Sequence, residues 1–233
     1  MYSLNKNTPH LFSIFVLLHH MIFRLAIVLL FFIQFTKAQD IAVLKYSGGG
    51  DWYSNPSAIS NLAVFCNKEI NTTLSTKPKK VSPNSIDIFE YPFLHMTGHG
   101  NVFFSEEDIE NLRSYLNSGG FLHIDDNYGM DQYLRKEISK LFPNETLQEL
   151  PANHPLFSYP YKFPDGLPKI HEHDNARPQG LVIEKQGRIV LLYTFESDLG
   201  DGWEDEEVHN DPPEVRLKAL RMGANIITYA FEH

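Results

Sequence analysis

The stretch Phe93–Tyr128 constrains the fold of this chain more than any other. It reads as a short apolar strand, a glycine-bracketed turn at Gly98-His99-Gly100, a helix, and a second apolar strand running into Asp125-Asp126-Asn127. Ser105 and Asp108 form a capping box at the helix start, Ile109, Leu112 and Leu116 make its buried stripe, and Gly119 ends it. Two parallel strands joined by a helix bring both polar strand ends to one edge of a sheet. Open α/β sheets hold their ligand sites at that edge.

The rest of the chain repeats this plan. Ile41–Tyr46 reads as a first buried strand, followed by Gly48-Gly49-Gly50 and the cluster Asp51-Trp52-Tyr53. Asn55-Pro56 opens a helix with Ile59, Leu62, Ala63, Cys66 and Ile70 on one face. A glycine loop between strand and helix invites a phosphate-cradle reading. Neither a dinucleotide fingerprint nor a Lys-Ser/Thr pair is present, and Asp51 would repel a phosphate, so no cofactor is expected. Residues 74–91 are irregular, with a short strand near Val81. A helix over about Asp131–Leu141 is stopped by Pro143. From Pro143 to Gln179 seven prolines (143, 151, 155, 160, 164, 168, 178) exclude helix and central strand, predicting an ordered flap over a site. Gly180–Glu184 and Arg188–Phe195 form a hairpin, Asp198–Glu214 is acidic and polar, and Pro213 opens a last helix.

The first 38 residues are set apart from the fold. Met21-Ile22-Phe23-Arg24, the apolar run Leu25–Phe35 and the small residues of Thr36-Lys37-Ala38 make a secretory signal peptide, cut before Gln39. The run is shorter than the roughly 20 residues that span a bilayer. The expectation is therefore an exported protein, periplasmic or extracellular, without stable membrane insertion after cleavage. Residues 39–233 then form one domain, in which residues 143–179 are the flap. Removal of residues 1–38 takes away Lys6, Arg24 and Lys37 and no acid, leaving a formal charge of −12. Nucleic acid and anionic membrane surfaces are poor partners for such a chain. The single Cys66 lies in an apolar helical pattern and reads as a buried small hydrophobe.

The motifs GGGDWYSNP (48–56), YPFLHMTGHG (91–100), LRSYLNSGGFLHIDD (112–126), GRIVLLYTFESDLGDGW (187–203) and RMGANIITYA (221–230) together carry a resemblance over nearly all of Asp40–Phe231. The chain resembles an uncharacterised bacterial family, a domain of unknown function found in exported and membrane-tethered proteins. That family is similar to class I glutamine amidotransferase-like and trehalose-utilisation-type proteins. The resemblance implies a three-layer α/β fold of flavodoxin-like kind, a mostly parallel sheet with helices on both faces. It places Thr97-Gly98-His99-Gly100 where amidotransferases keep oxyanion-hole amides, and Asp125 where they keep the nucleophilic cysteine. Their histidine and glutamate partners correspond to the region of Thr194-Phe195-Glu196-Ser197-Asp198. A carboxylate cannot serve as a thiolate does, which excludes cysteine-dependent glutaminase chemistry.

The expected site therefore gathers Asp125 as acid/base, His99 assisting and Glu196 beside them, a set suited to hydrolase or isomerase chemistry. Gly49, Gly50, Asp51, Trp52, Tyr53, Gly98, Gly100, Asp126 and Trp203 are the expected ligand-binding residues, for a small molecule or saccharide. Trp52, Tyr53 and Trp203 serve equally well as a stacking wall or as packing residues. His171-Glu172-His173-Asp174 would point two imidazoles one way on a strand, a metal-ligand spacing, but it lies within the flap. The acidic run near Asp198, Asp201 and Asp205 lacks EF-hand spacing and reads better as a solvated loop than as a calcium site. A non-catalytic envelope binding or assembly module is the alternative function.

Overall fold

The computed structural model describes residues 40–126, 128–173 and 175–233. The expected signal peptide lies outside the described residues, as do Asn127 and Asp174. Within the described part no helix is long and apolar enough to cross a membrane.

The strands are β1 (Ile41–Leu44), β2 (Lys79–Val81), β3 (Phe93–Met96), β4 (Phe121–Asp125), β5 (Gln148–Glu149), β6 (Gln179–Lys185) and β7 (Arg188–Phe195). They form one seven-stranded sheet in the order β2-β1-β3-β4-β7-β6-β5. The first five in that order run parallel; β6 is antiparallel to β7, and β5 to β6. Every residue of β3 and β4 is buried, as a parallel strand covered on both faces requires, and this explains why both are apolar apart from His95, His123 and the terminal Asp125. The order reverses between β1 and β3, the kind of switch point that opens a crevice in doubly wound sheets.

The helices are α1 (Ala58–Glu69), α2 (Glu106–Asn117), α3 (Asp131–Leu141), α4 (Leu199–Trp203), α5 (Glu206–His209) and α6 (Pro213–Glu232). Leu62 and Cys66 of α1 pack with Ala219 and Ile227 of α6 on one face of the sheet, and Leu112 of α2 packs with Leu134 and Ile138 of α3 on the other. The architecture is thus the three-layer α/β arrangement expected. The capping box forms: Ser105 Oγ accepts the Asp108 amide at 3.1 Å, and Asp108 Oδ2 accepts the Ser105 amide at 2.8 Å. Cys66 is enclosed by apolar neighbours, and burial pushes its thiol up to about 12.

Two segments differ from their sequence pattern. The acidic stretch after Asp198 folds into the short helices α4 and α5, because Trp203 inserts into the core and donates its indole N–H to the Ala219 carbonyl at 2.9 Å. The proline-rich segment buries Leu156, Phe157, Phe163 and Leu167 in the core shared by α1 and α6. Asn225 of α6 fastens it: Oδ1 accepts the Tyr161 amide at 2.9 Å, and Nδ2 donates to the carbonyls of Leu156 and Tyr161 at 2.8 and 2.7 Å. That anchorage brings Lys169, His171 and His173 to the edge where β4 and β7 end.

Candidate site at the carboxyl edge of the sheet

The loops after β1 and β3 meet at the switch point. Gly50 donates its amide to the Asn101 carbonyl at 2.9 Å, and Asn101 Nδ2 donates to the Gly48 carbonyl at 3.0 Å. Gly98 has φ of +141°, and a Cβ there would lie 2.2 Å from Tyr46 Oη and 3.0 Å from the Asp51 carbonyl oxygen. Only glycine fits that approach. The joined loops hold Asp51 against His99: one carboxylate oxygen accepts the His99 backbone amide in a short contact, and Oδ2 lies 3.0 Å from Nδ1. Partial burial pushes the Asp51 carboxyl up, but the amide and imidazole of His99 outweigh it and hold the group below the ordinary aspartate value. The His99 side chain is 53% exposed. With Nδ1 directed at a carboxylate, its Nε2 is the nitrogen left to face a ligand.

This geometry revises the expected oxyanion site, since the amides of Gly50 and His99 are already taken within the protein. Gly49 and Gly100 border open space. Trp52 is half-buried, with Lys45 and Lys80 at 5.5 and 5.3 Å over its ring, while Tyr53 packs edge-on against it and is exposed. Tyr53 is thus an open aromatic in the same loop as Asp51.

Asp125 is not at an open crevice. It is fully buried, and among the described residues it accepts from the Thr194 hydroxyl at 2.5 Å and the amides of Leu199 and Gly200 at 3.3 and 2.6 Å. Burial pushes its carboxyl well above the usual range. The covering chain comes close because residue 200 has no side chain; a Cβ there would sit 3.0 Å from Asp125 Oδ2. Asp126 is buried too, accepting the Tyr193 hydroxyl at 2.9 Å, and burial pushes it up to about 6 with the charges of Asp131 and Glu196 nearby. Glu196, in the left-handed region at φ of +57°, pairs with flap Lys169 at 2.9 Å. Trp203 is enclosed, not a pocket wall; its ring lies 5.6 Å from both His95 and His123. Of the expected set, the fold brings Asp51 and His99 into contact, while Asp125, Asp126 and Glu196 are turned inward or paired.

The sequence reading missed a buried polar chain. His95 and His123 face each other across the β3–β4 register, Nδ1 to Nδ1 at 3.0 Å; His123 Nε2 lies 3.1 Å from Thr194 Oγ1, which bonds Asp125. Burial pushes His95 down to about 3 and lowers His123 as well, so both rings are neutral. The signal was present as a repeat: Phe93-Leu94-His95 and Phe121-Leu122-His123 put the same triplet in register on neighbouring strands.

A family model described as Domain of unknown function (DUF4159) matches residues 40–231. The chain belongs to that family. No curated protein matches it. The matched DUF4159 segment includes the switch-point pair, the buried chain and a third cluster built from the flap and the segment after β7. In this cluster His171 Nδ1 lies 3.0 Å from Asp201 Oδ2, and Nε2 lies 2.9 Å from Asp211 Oδ1. The Asp201 bond, with Asp211 adding to it, raises His171 to about 9 against the effect of burial. Asn55 Nδ2 donates to Asp201 Oδ1 at 2.6 Å, and the Thr97 hydroxyl donates to Asn55 Oδ1 at 3.3 Å, so the β1 and β3 loops reach this cluster of the DUF4159 fold. His171 and His173 are not on a strand; His173 bonds Asp198 instead, in a short contact, and stacks on Tyr128 at 5.1 Å.

Proposed function

We propose that this DUF4159 domain is an exported protein that binds and processes a small molecule or saccharide at the β1/β3 switch point, with His99 as its acid/base group. The exposed Asp51–His99 pair carries this reading: the carboxylate at 3.0 Å from Nδ1 fixes the ring, leaving Nε2 toward the ligand. Exposed Tyr53 supplies an aromatic face suited to a sugar ring. The reaction class is hydrolytic or isomerising. The likeness to class I glutamine amidotransferase-like proteins supports the location, since their sites lie at the same edge, while Asp125 in place of cysteine removes their thiol chemistry. In this reading Asp125, Asp126 and Glu196 support the site, and residues 39–233 are one mature domain released by cleavage before Gln39.

The closure of Asp125 favours a second reading, a binding module without turnover. Screening the mature chain against saccharides and small esters by NMR, followed through His99 and Tyr53, separates the two. Ligand-dependent shifts at both residues, with turnover abolished in His99→Asn, support the acid/base role. Binding that persists in His99→Asn without any turnover in the parent supports the module, and shifts confined to other surfaces refute the switch-point site. The intact mass of envelope-fraction protein tests export; a full-length species extracted only with membrane would refute cleavage.

A further inference from the structure

The flap cluster carries an assignment independent of the acid/base reading at His99. His171 comes from the flap, Asp201 from α4 and His209 from the end of α5. One ligand-type atom from each lies within 4.8 Å of the others. Asp201 is 3.0 Å from His171 Nδ1 through Oδ2 and 3.7 Å from His209 Nε2 through Oδ1. A tetrahedral zinc ion with bonds of about 2.0–2.1 Å holds its ligand atoms about 3.3 Å apart. The His171–Asp201 separation lies just below that value and the three ligand atoms lie within 4.8 Å of one another, so an ion fits once the side chains draw together around it.

The surroundings match what a bound imidazole and carboxylate require. A metal-bound histidine usually gives its other ring N–H to a carboxylate, which fixes the tautomer and strengthens the ligand. Asp211 stands at that place, 2.9 Å from His171 Nε2. Asn55 holds Asp201 in orientation through Oδ1, the oxygen 3.7 Å from His209, and leaves Oδ2 to the ion. Glu204 is fixed through Oε1 by the amide and hydroxyl of Ser57, both at 3.1 Å, which leaves Oε2 facing His209 Nε2 at 3.6 Å beside the fourth position. A further sign of missing positive charge lies next to the cluster. Asp198 is 1% exposed, and its Oδ1 has no hydrogen-bond partner, although Asp201 and His171 are among the charges acting on it. An orphaned buried carboxylate oxygen is costly unless a cation or donor meets it.

We propose that His171, Asp201 and His209 are the protein ligands of a divalent transition-metal ion of the zinc class, with Asp211 as the positioning partner of His171. Two imidazoles and one carboxylate suit zinc rather than calcium or magnesium, which take oxygen donors. The ion takes the place between His171 Nδ1 and Asp201 Oδ2, now 3.0 Å apart. It ties the flap to the segment that follows β7, and so fastens the cover over the β4–β7 end of the sheet.

The test uses tag-free mature protein stripped with a chelator, titrated with zinc and separately with calcium by calorimetry. Zinc should bind at one equivalent with calcium not competing, and zinc should slow proteolysis of the flap. His209→Gln is the informative variant, because His209 makes only long contacts and its loss leaves the fold standing. It should weaken zinc binding about 100-fold, and Asp211→Asn, which touches only the outer partner, about 10–100-fold. His173→Gln, outside the ligand set, should keep parental affinity. Absence of zinc binding by the folded parent overturns the assignment, as does undiminished binding in His209→Gln. Calcium in preference to zinc would overturn the choice of ion class.

Discussion

Thr194→Val tests whether the buried polar chain beneath the site holds the sheet together. The Thr194 hydroxyl is fully buried and sits between Asp125 Oδ1, at 2.5 Å, and His123 Nε2, at 3.1 Å. Whichever way the protons run, the hydroxyl is the one group that can accept from one neighbour while donating to the other. Valine keeps the shape and leaves both neighbours facing a methyl group. His123 Nε2 loses its partner, at about 1–3 kcal/mol, while Asp125 Oδ1 loses the hydroxyl but keeps the Leu199 amide at 3.3 Å, at about 1 kcal/mol, so the loss is about 3 kcal/mol. For a domain of this size each kcal/mol moves the midpoint about 2–4 °C, which predicts a fall of about 6–12 °C in thermal melting followed by circular dichroism. Thr194→Ser keeps the hydroxyl and loses one buried methyl, worth about 0.8 kcal/mol, and should fall by only about 2–3 °C. If the valine variant melts no lower than the serine variant, the chain from His95 to Asp125 contributes nothing and its description as a bonded unit is wrong.

Three further outcomes follow from single positions. Burial raises Asp126 from its ordinary value to about 6, so its stabilising contribution is full below the unfolded pKa and is lost as pH rises through the folded one. Asp126→Asn should therefore gain up to about 3 kcal/mol relative to the parent between pH 4 and pH 8 in urea unfolding, and a pH-independent difference would refute the shift. Gly98→Ala drives a Cβ against Tyr46 and the Asp51 backbone at positive φ, predicting a loss of about 1–3 kcal/mol and an altered His99 imidazole resonance; an unchanged denaturation midpoint would count against the tight loop contact. Asn225→Ala leaves the flap backbone at Leu156 and Tyr161 without partners, so limited proteolysis should cut between residues 155 and 165 faster than in the parent. Equal rates would show that the apolar anchors of the flap suffice.

The parts of the fold legible in the sequence are those whose cause is local. The strand–helix–strand unit over Phe93–Asp125 declares itself through mostly apolar runs, a capping box and a terminal glycine, because burial on both faces and helix capping are imposed within a few residues. The same locality put Asp51 and His99 at the carboxyl edge, in the loops that follow β1 and β3. Their contact was legible from topology, since β1 and β3 are neighbours and their loops have nowhere else to turn.

Whether a polar strand end is open or covered depends on chain far away, and there a local pattern is silent. Asp125 has the residue type and place of an exposed catalytic carboxylate, yet it is closed by amides of residues 199 and 200, which arrive only after β7 and approach because residue 200 is glycine. Trp203 served equally well in the sequence as a stacking or a packing residue; its indole finds the core and the Ala219 carbonyl, and it folds the acidic segment into α4 as it does so. The metal-type cluster was hidden for the same reason from the other side. The pair His171-x-His173 has a ligand spacing, but the two rings part company, and His171 instead meets Asp201 and His209, brought up by that same α4–α5 segment. One insertion, Trp203 into the core, thus both closes the Asp125 end of the sheet and assembles the histidine–carboxylate cluster above it. Groups of this edge that reach solvent lie to either side, exposed His99 at the switch point and half-buried His171 in the flap.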